Sequence, residues 1–301
     1  MAGVCSSTTD AFETDGTLSQ IFSNGSLKLK AIVTSGEKDI DKLDKLGRYV
    51  LGITWDATAG TIAIDLRQTA KFFALLDSRD LDDILITMRI LLGIINKPHD
   101  LLGLITPIVI RLMVACRDLF RIQPLLGWDE DIPRKLKSEW IELLKIFKGA
   151  SAVTFPRATK PRSTVGSPEI VGFFDGSDNA FAAVVFLRWT LSDGSIYVIL
   201  AGSKAKVTPL KRISTPRSER NGAVLLGRLA LSLVKSCVGA DSTPSKVWLL
   251  GDSECTLASL EKTSGAFGEY FGNRIGDIID NQARIQKHCN VGDDGECPRK
   301  G

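Results

Sequence analysis

The chain has 301 residues, 44% hydrophobic and 24% charged, with 38 Lys and Arg against 35 Asp and Glu for a net charge of +3. That composition is globular and leaves room for one to three small domains; the slight basic excess is compatible with nucleic acid without pointing to it. Six cysteines (Cys5, Cys116, Cys237, Cys255, Cys289 and Cys297) show no Cys-x-x-Cys spacing and follow no secretory signal, so the expectation is a reduced intracellular setting, cytoplasmic or nuclear, and not a disulfide scaffold.

Residues 1–16 are polar and unpatterned, and the expectation there is disorder. Leu27, Leu29, Ala31 and Val33 alternate as in a strand, and a Lys/Asp-rich connector runs from Lys38 to Lys45. Val50–Trp55 and Thr61–Leu66, joined by the turn Asp56–Gly60, read as a β-hairpin. From about Asp80 the period becomes helical. Leu81, Ile84, Leu85, Met88 and Leu92 form one apolar stripe, Leu104–Phe120 a second helix with Pro107 in its first turn, and Leu136, Trp140, Leu143, Leu144 and Phe147 the face of a third. Asp131 is the expected N-cap of that third helix. Arg89, Asp100, Arg111 and Arg117 interrupt the apolar run from 84 to 122, so it offers no uncharged stretch near the ~20 residues of a membrane span, and no membrane partner is expected.

Residues 149–168 carry prolines and no period, and a domain boundary is placed there. The pattern then becomes β-β-β-α-β-α. Strands are predicted at Ile170–Phe174, Phe181–Trp189 and Ser195–Ala201, followed by a helix from Thr215 to Cys237, a buried strand ending in Gly251-Asp252-Ser253 and a short helix from Glu254. This is the order of a mixed α/β sheet whose first and fourth strands run parallel side by side.

Three acids converge in that architecture. Asp175 and Asp252 stand at the carboxyl ends of the two parallel strands, where open α/β sheets place their ligand sites. Glu219 shares a helix face with Ala223, Leu226, Ala230, Leu233 and Cys237, so it points toward the sheet. Carboxylates gathered at one rim repel each other unless hard cations are shared between them. Mg²⁺ suits such oxygen ligands, and a two-ion site serves phosphodiester hydrolysis without a His or Ser nucleophile. The chain has only His99 and His288. Each acid also has a plainer reading: Asp175 as a turn former before Gly176, Glu219 as a helix-dipole acid, and Asp252 as a helix cap. Between the first and last strands, Lys204, Lys206, Lys211, Arg212, Arg217 and Arg220 are opposed only by Glu219, a stretch able to track phosphates or to be an ordinary charged surface. His288, Cys289 and Cys297 lack the closer cysteine pairs a zinc knuckle needs.

The segments FFDGSDNAFAAVVFLR, SKAKVTPLKRISTPRSERNGAVLLGRL and VWLLGDSECTLASL resemble the ribonuclease H-like part of BEL/Pao-class LTR retrotransposon polyproteins. Upstream, VLGITWDATAGTIAIDL, DLLGLITPIVIRLMVACRDLFR and GWDEDIPRKLKSEW resemble the stretch between polymerase palm and ribonuclease H, so the resemblance runs from about Leu18 to Ile285. It implies a palm remnant at 1–66, a helical thumb- or connection-like region at 67–150, a linker at 151–168, and a C-terminally truncated ribonuclease H-like domain of mixed α/β sheet at 169–301. It also implies an Asp–Glu–Asp–Asp Mg²⁺ site carried onto Asp175, Glu219 and Asp252. Such a domain cleaves the RNA strand of an RNA–DNA hybrid, within a polyprotein whose other segments, including those for DNA integration, are the expected partners.

The departures bear on activity. A polymerase Tyr-x-Asp-Asp motif would precede this chain, so no polymerisation is expected. Pro216, Arg217, Ser218, Glu219 and Arg220 stand where the family commonly has Pro-Arg-Leu-Glu-Leu. The fourth aspartate's Asn-Pro-Ala-Asp-like segment has no counterpart, and Asp293 and Asp294 lie in a Gly-rich tail. A Mg²⁺-dependent ribonuclease H is the leading expectation. The alternative is a non-catalytic nucleic-acid-binding or interaction protein. An aspartic peptidase ranks last, because Asp175-Gly176-Ser177 reverses the Asp-Thr/Ser-Gly order.

Overall fold

The computed structural model describes residues 8–27, 49–50, 52–56, 59–78, 83–122, 125–238, 242–262 and 264–289. The first element, α1 (Thr8–Asn24), replaces much of the disorder expected for residues 1–16. Local side-chain bonds run along it: Thr17 Oγ1 donates to the Glu13 carbonyl at 2.9 Å and Ser19 Oγ to Asp15 Oδ1 at 3.2 Å. Beyond Leu27, the strand predicted to Val33 and the Lys38–Lys45 connector lie outside the described residues, as do Asp293, Asp294 and Cys297.

The predicted hairpin is present. Strands β1 (Tyr49–Val50), β2 (Ile53–Asp56) and β3 (Thr61–Ile64) pair antiparallel, with Ile53 opposite Ile64 and Asp56 opposite Thr61. Asp56 Oδ1 accepts the Ala59 N–H at 2.9 Å, and Gly60 takes a positive φ of 67° to close the turn. Helices α2 (Ala70–Ser78), α3 (Met88–Asn96), α4 (Thr106–Leu119) and α5 (Arg134–Gly149) follow. Their apolar faces meet in one core in which Ile86, Leu91, Leu112, Leu144 and Phe147 are fully buried.

Three expectations are corrected in this region. The third helix is not capped by Asp131, because Pro133 occupies the cap position; the Asp131 carboxylate instead accepts the Ile86 N–H at 3.0 Å and pairs with Lys137. That engagement holds Ile84–Ile86 out of the helix, so α3 starts only at Met88, where the Thr87 hydroxyl caps the Ile90 N–H at 3.2 Å. The linker also contains regular structure: β4 (Phe155–Pro156) adds to the hairpin, pairing Phe155 with Ile62 and Pro156 with Thr61. Proline is tolerated there because β4 is an edge strand.

The second sheet holds β5 (Thr164–Gly176), β6 (Ala180–Leu191), β7 (Ile196–Val207) and β8 (Lys246–Leu250) in the order β7-β6-β5-β8. The β5–β8 pair is parallel, as the element order predicts, and all other pairs in this sheet are antiparallel. Ala183, Val185, Leu187 and Trp189 are buried at alternate positions of β6, the period-two signature of a strand with one covered face. The covering element is α6 (Thr215–Val238), and a further helix, α8 (Glu269–Cys289), lies against α6, while the short α7 (Glu254–Leu260) follows β8. By length and composition α6 could cross a membrane, but it is a core helix here, with Ala223, Leu226, Ala230 and Val234 buried.

The two cores are joined through α4 and β7. Ser203 donates its backbone N–H to the Leu102 carbonyl at 2.9 Å and its hydroxyl to the Gly103 carbonyl at 2.6 Å. Leu200 of β7 packs against the upstream core. The architecture is thus an α/β mixed sheet preceded by a hairpin and a helical layer.

Candidate active site and nucleic-acid interface

The parallel register fixes the two aspartates. Phe173 of β5 lies opposite Leu250 of β8, and Asp175 and Asp252 each stand two residues beyond that last pair. Neighbouring strands lie about 4.8 Å apart, so the two acids leave adjacent strand ends. Glycines bring α6 to the same place. A Cβ on Gly176 would sit 2.4 Å from the Glu219 backbone nitrogen, and one on Gly222 would sit 2.9 Å from the Asp175 carbonyl oxygen. Only residues without a side chain permit this approach of the helix to the strand. Glu219 therefore begins beside the Asp175–Gly176 backbone, and its Oε2 accepts the Ser253 hydroxyl at 2.6 Å, immediately after Asp252.

Two of the plainer readings do not hold. Asp252 is not the cap of α7, since Ser253 occupies that position and accepts the Thr256 N–H at 3.2 Å. The turn after β5 is closed by Ser177, whose N–H donates to the Ala180 carbonyl at 2.8 Å, while Asp175 is still paired with Ala182 in the sheet. Among the described residues Asp175 Oδ1 takes only the adjacent Gly176 N–H, at 2.6 Å. Glu219, five residues into α6, is half-buried, and Asp175 and Asp252 are exposed.

The donor set suits a hard divalent cation: three carboxylates, all oxygen, at neighbouring chain ends, with spare lone pairs on each. Among the described residues no three acidic, histidine or cysteine side chains are grouped closely enough to hold a metal as they stand. The three-carboxylate site expected from the sequence is therefore not preassembled: Glu219 is bonded to Ser253 and Asp175 to the adjacent Gly176 N–H. A four-donor zinc-type site is absent among the described residues as well.

The basic residues singled out in the sequence on either side of Thr208, from Lys204 to Arg217, are all exposed, and no ion pair joins them to an acid among the described residues. Lys204 and Lys206 lie on the edge strand β7, flanking Ala205, which stands in the same cross-strand row as Ala182 and Asp175. Two strand spacings, about 10 Å, separate that edge from the Asp175 position. Lys211 and Arg212 follow in the connection to α6, and Arg217 lies in its first turn.

Four residues of the site, Ser253, Arg117, Asn179 and Thr208, are not among the candidates singled out from the sequence. Ser253 orients Glu219. Arg117, on α4 and 7% exposed, donates from Nη1 to the Asn179 carbonyl at 3.0 Å and to Thr208 Oγ1 at 2.8 Å, and from Nη2 to Asn179 Oδ1 at 2.8 Å. Thr208 Oγ1 in turn donates to the Asp178 carbonyl at 2.6 Å. The upstream helical layer thus grips the turn that follows Asp175. The Gly-Asp-Ser run could have drawn attention to Ser253, but no single-sequence pattern links Arg117 to a turn 62 positions on.

Two solved structures share features with the chain. The N-terminal RNase H domain of a Mycobacterium tuberculosis protein, fused to maltose binding protein, is 14% identical with a TM-score of 0.26, over 39% of this chain and 76% of that one. RNase H1 from the halophilic archaeon Halobacterium salinarum NRC-1 is 18% identical with a TM-score of 0.20, over 42% and 80%. No curated protein matches. The Pao retrotransposon-like RNaseH-like domain matches residues 87–250, from the cap of α3 to the last residue of β8 and so through both cores, and the chain belongs to that family.

Proposed function

We propose that this chain binds RNA–DNA hybrid and hydrolyses its RNA strand with the help of a divalent cation, as the ribonuclease H-like part of a retroelement polyprotein. The observation that carries the reading is the parallel register that sets Asp175 and Asp252 equally far past Phe173 and Leu250, with Glu219 beside both. Asp175, Glu219 and Asp252 are the residues to hold Mg²⁺. When bound, such a cation activates water and stabilises the leaving oxygen of a phosphodiester. Ser253 aims the Glu219 carboxylate at the end of β8, beside Asp252. Arg117, Asn179 and Thr208 hold the turn after Asp175 still. Lys204, Lys206, Lys211, Arg212 and Arg217 pair with backbone phosphates, and recognition of the 2′-OH selects the RNA strand. Residues 1–66 and 67–150 are read as the palm remnant and the thumb- or connection-like region of the same polyprotein, whose other segments are its partners.

A second reading, nucleic-acid binding without turnover, is favoured by the separated carboxylates. Incubation of a labelled hybrid with the chain in Mg²⁺ and in Mn²⁺ distinguishes the two. The hydrolase reading expects metal-dependent loss of the RNA strand that disappears in Asp175→Asn while hybrid binding persists. Binding with no cleavage in either metal would establish the second reading in its place.

A further inference from the structure

One residue beyond Glu219, Arg220 is 8% exposed, and its Nε and Nη1 have no hydrogen-bond partner among the described residues. Its guanidinium carbon lies 4.1 Å from the centre of the Phe271 ring, at the start of α8. A buried charge without a counter-charge is unfavourable, and stacking on a ring compensates it only in part. Two more arginines share these rings. Arg217 lies 5.2 Å from Tyr270 and 5.3 Å from Phe271, and Arg274 lies 5.4 Å from Tyr270. Arg274 Nε and the Tyr270 hydroxyl both donate to Asn221 Oδ1, at 3.1 and 3.2 Å. Among the described residues the one acid paired with this group is Asp277, 3.8 Å from Arg274 and already bonded to Arg228 at 2.9 Å. Glu219, the nearest acid in sequence, is bonded to Ser253. Three guanidiniums therefore meet where α6 and α8 begin, and their charge is not balanced.

We propose that the starts of α6 and α8 form a phosphate subsite for the backbone of the bound nucleic acid, an inference that rests on the function proposed above. Arg217 and Arg274 face the phosphodiester from the surface, and Arg220 lies beneath them, raising the local positive potential without touching the ligand. Guanidinium groups suit a phosphodiester because their paired N–H donors match its two free oxygens. The basic run from Lys204 along β7 to Arg217 leads to this point, and the half-exposed ring of Tyr270 lies at its edge. The position beside Glu219 would anchor a strand that passes the candidate acids.

The test is a titration of the full chain with a fluorescently labelled hybrid at several salt concentrations. Replacing Arg217 and Arg274 together by Gln, with folding checked by circular dichroism, is expected to weaken binding at least tenfold. It should also flatten the log–log salt dependence by about 0.9 for each phosphate that the protein no longer neutralises. Arg220→Leu is expected to raise the melting temperature and still weaken binding, because it removes both the buried charge and its field. A Lys204→Ala/Lys206→Ala chain separates this proposal from the reading beneath it. If the lysine changes flatten the salt dependence and the arginine changes do not, the subsite is wrong and hybrid binding stands. If neither does, hybrid binding through the basic run fails as well. Unaltered affinity in Arg220→Leu would make that residue a structural plug and overturn its part in the subsite, and poly-glutamate binding as tight as the hybrid would overturn the phosphodiester as ligand.

Discussion

The two cores are built from different side chains. Upstream, Phe147, Trp140, Leu144, Leu112, Met88 and several isoleucines fill the space between helices, and the buried charged residues there, Arg117 and Lys137, are both hydrogen-bonded. Around the second sheet the inward positions include Gly172, Gly176, Gly222, Ala183, Ala223 and Ala230, together with buried Ser218, Ser253, Thr256 and Arg220. Large apolar residues stabilise by the area they remove from water. Small and polar ones give up some of that stabilisation in exchange for close approach of backbones. The contrast teaches that the upstream layer is a support, while the sheet layer is shaped to bring strand ends and a helix start together.

Substitutions can break or sharpen that contrast. The largest effect is expected for Gly176→Val, whose side chain would meet the backbone of Ser218 and Glu219; a loss of about 4 kcal/mol or more, or no cooperative unfolding, should appear in denaturant titrations. Gly149→Ala, with nothing within 4 Å of the added carbon, should be tolerated, and equal damage from both would dissolve the distinction. Phe147→Ala removes a fully buried ring from the support layer and is expected to cost about 3–5 kcal/mol. Arg117→Met tests the bridge between the layers. It strands Asn179 and Thr208, so a loss of about 2 kcal/mol is expected, with faster amide exchange confined to residues 177–180. A global change in exchange without that local one would remove Arg117 from the site.

The smallest effect concerns Asp131, an exposed-side acid on the support layer. Although desolvation pushes its pKa up, the Lys137 hydrogen bond and the Ile86 N–H outweigh this and hold it below the ordinary carboxylate value. A lowered folded-state pKa contributes stability above the unfolded value, near pH 4, that is lost as pH falls through the folded one. Asp131→Asn should therefore cost under about 1 kcal/mol at pH 7 and show less loss on acidification than the parent chain.

Much of the sheet was legible because apolar runs bounded by turns follow one another in the order of a mixed α/β sheet. The strand predicted at Phe181–Trp189 and the helical stripe from Ala223 to Cys237 are both present in the fold, and so is the parallel placement of β5 and β8. What was not legible depends on partners distant in the chain. Asp131 looked like a cap and serves Ile86, 45 residues earlier. Phe155–Pro156 looked like linker because a two-residue edge strand has no period of its own. The extent of α8 went unread, although Ile275, Ile278 and Ile285 are its buried positions. At the site, the sequence located the three acids by strand end and helix phase. It did not carry the Ser253 bond to Glu219, nor the side-chain placement that leaves the carboxylates ungrouped.

The central claim is that Asp175, Glu219 and Asp252 act as one cation site. Titration of Mn²⁺ into the chain, followed by electron paramagnetic resonance with and without bound hybrid, tests it most directly. Binding is expected to weaken tenfold or more in each of Asp175→Asn, Glu219→Gln and Asp252→Asn, and to strengthen when hybrid phosphate completes the ligand shell. Mn²⁺ affinity unchanged in any one of the three variants would contradict a shared site.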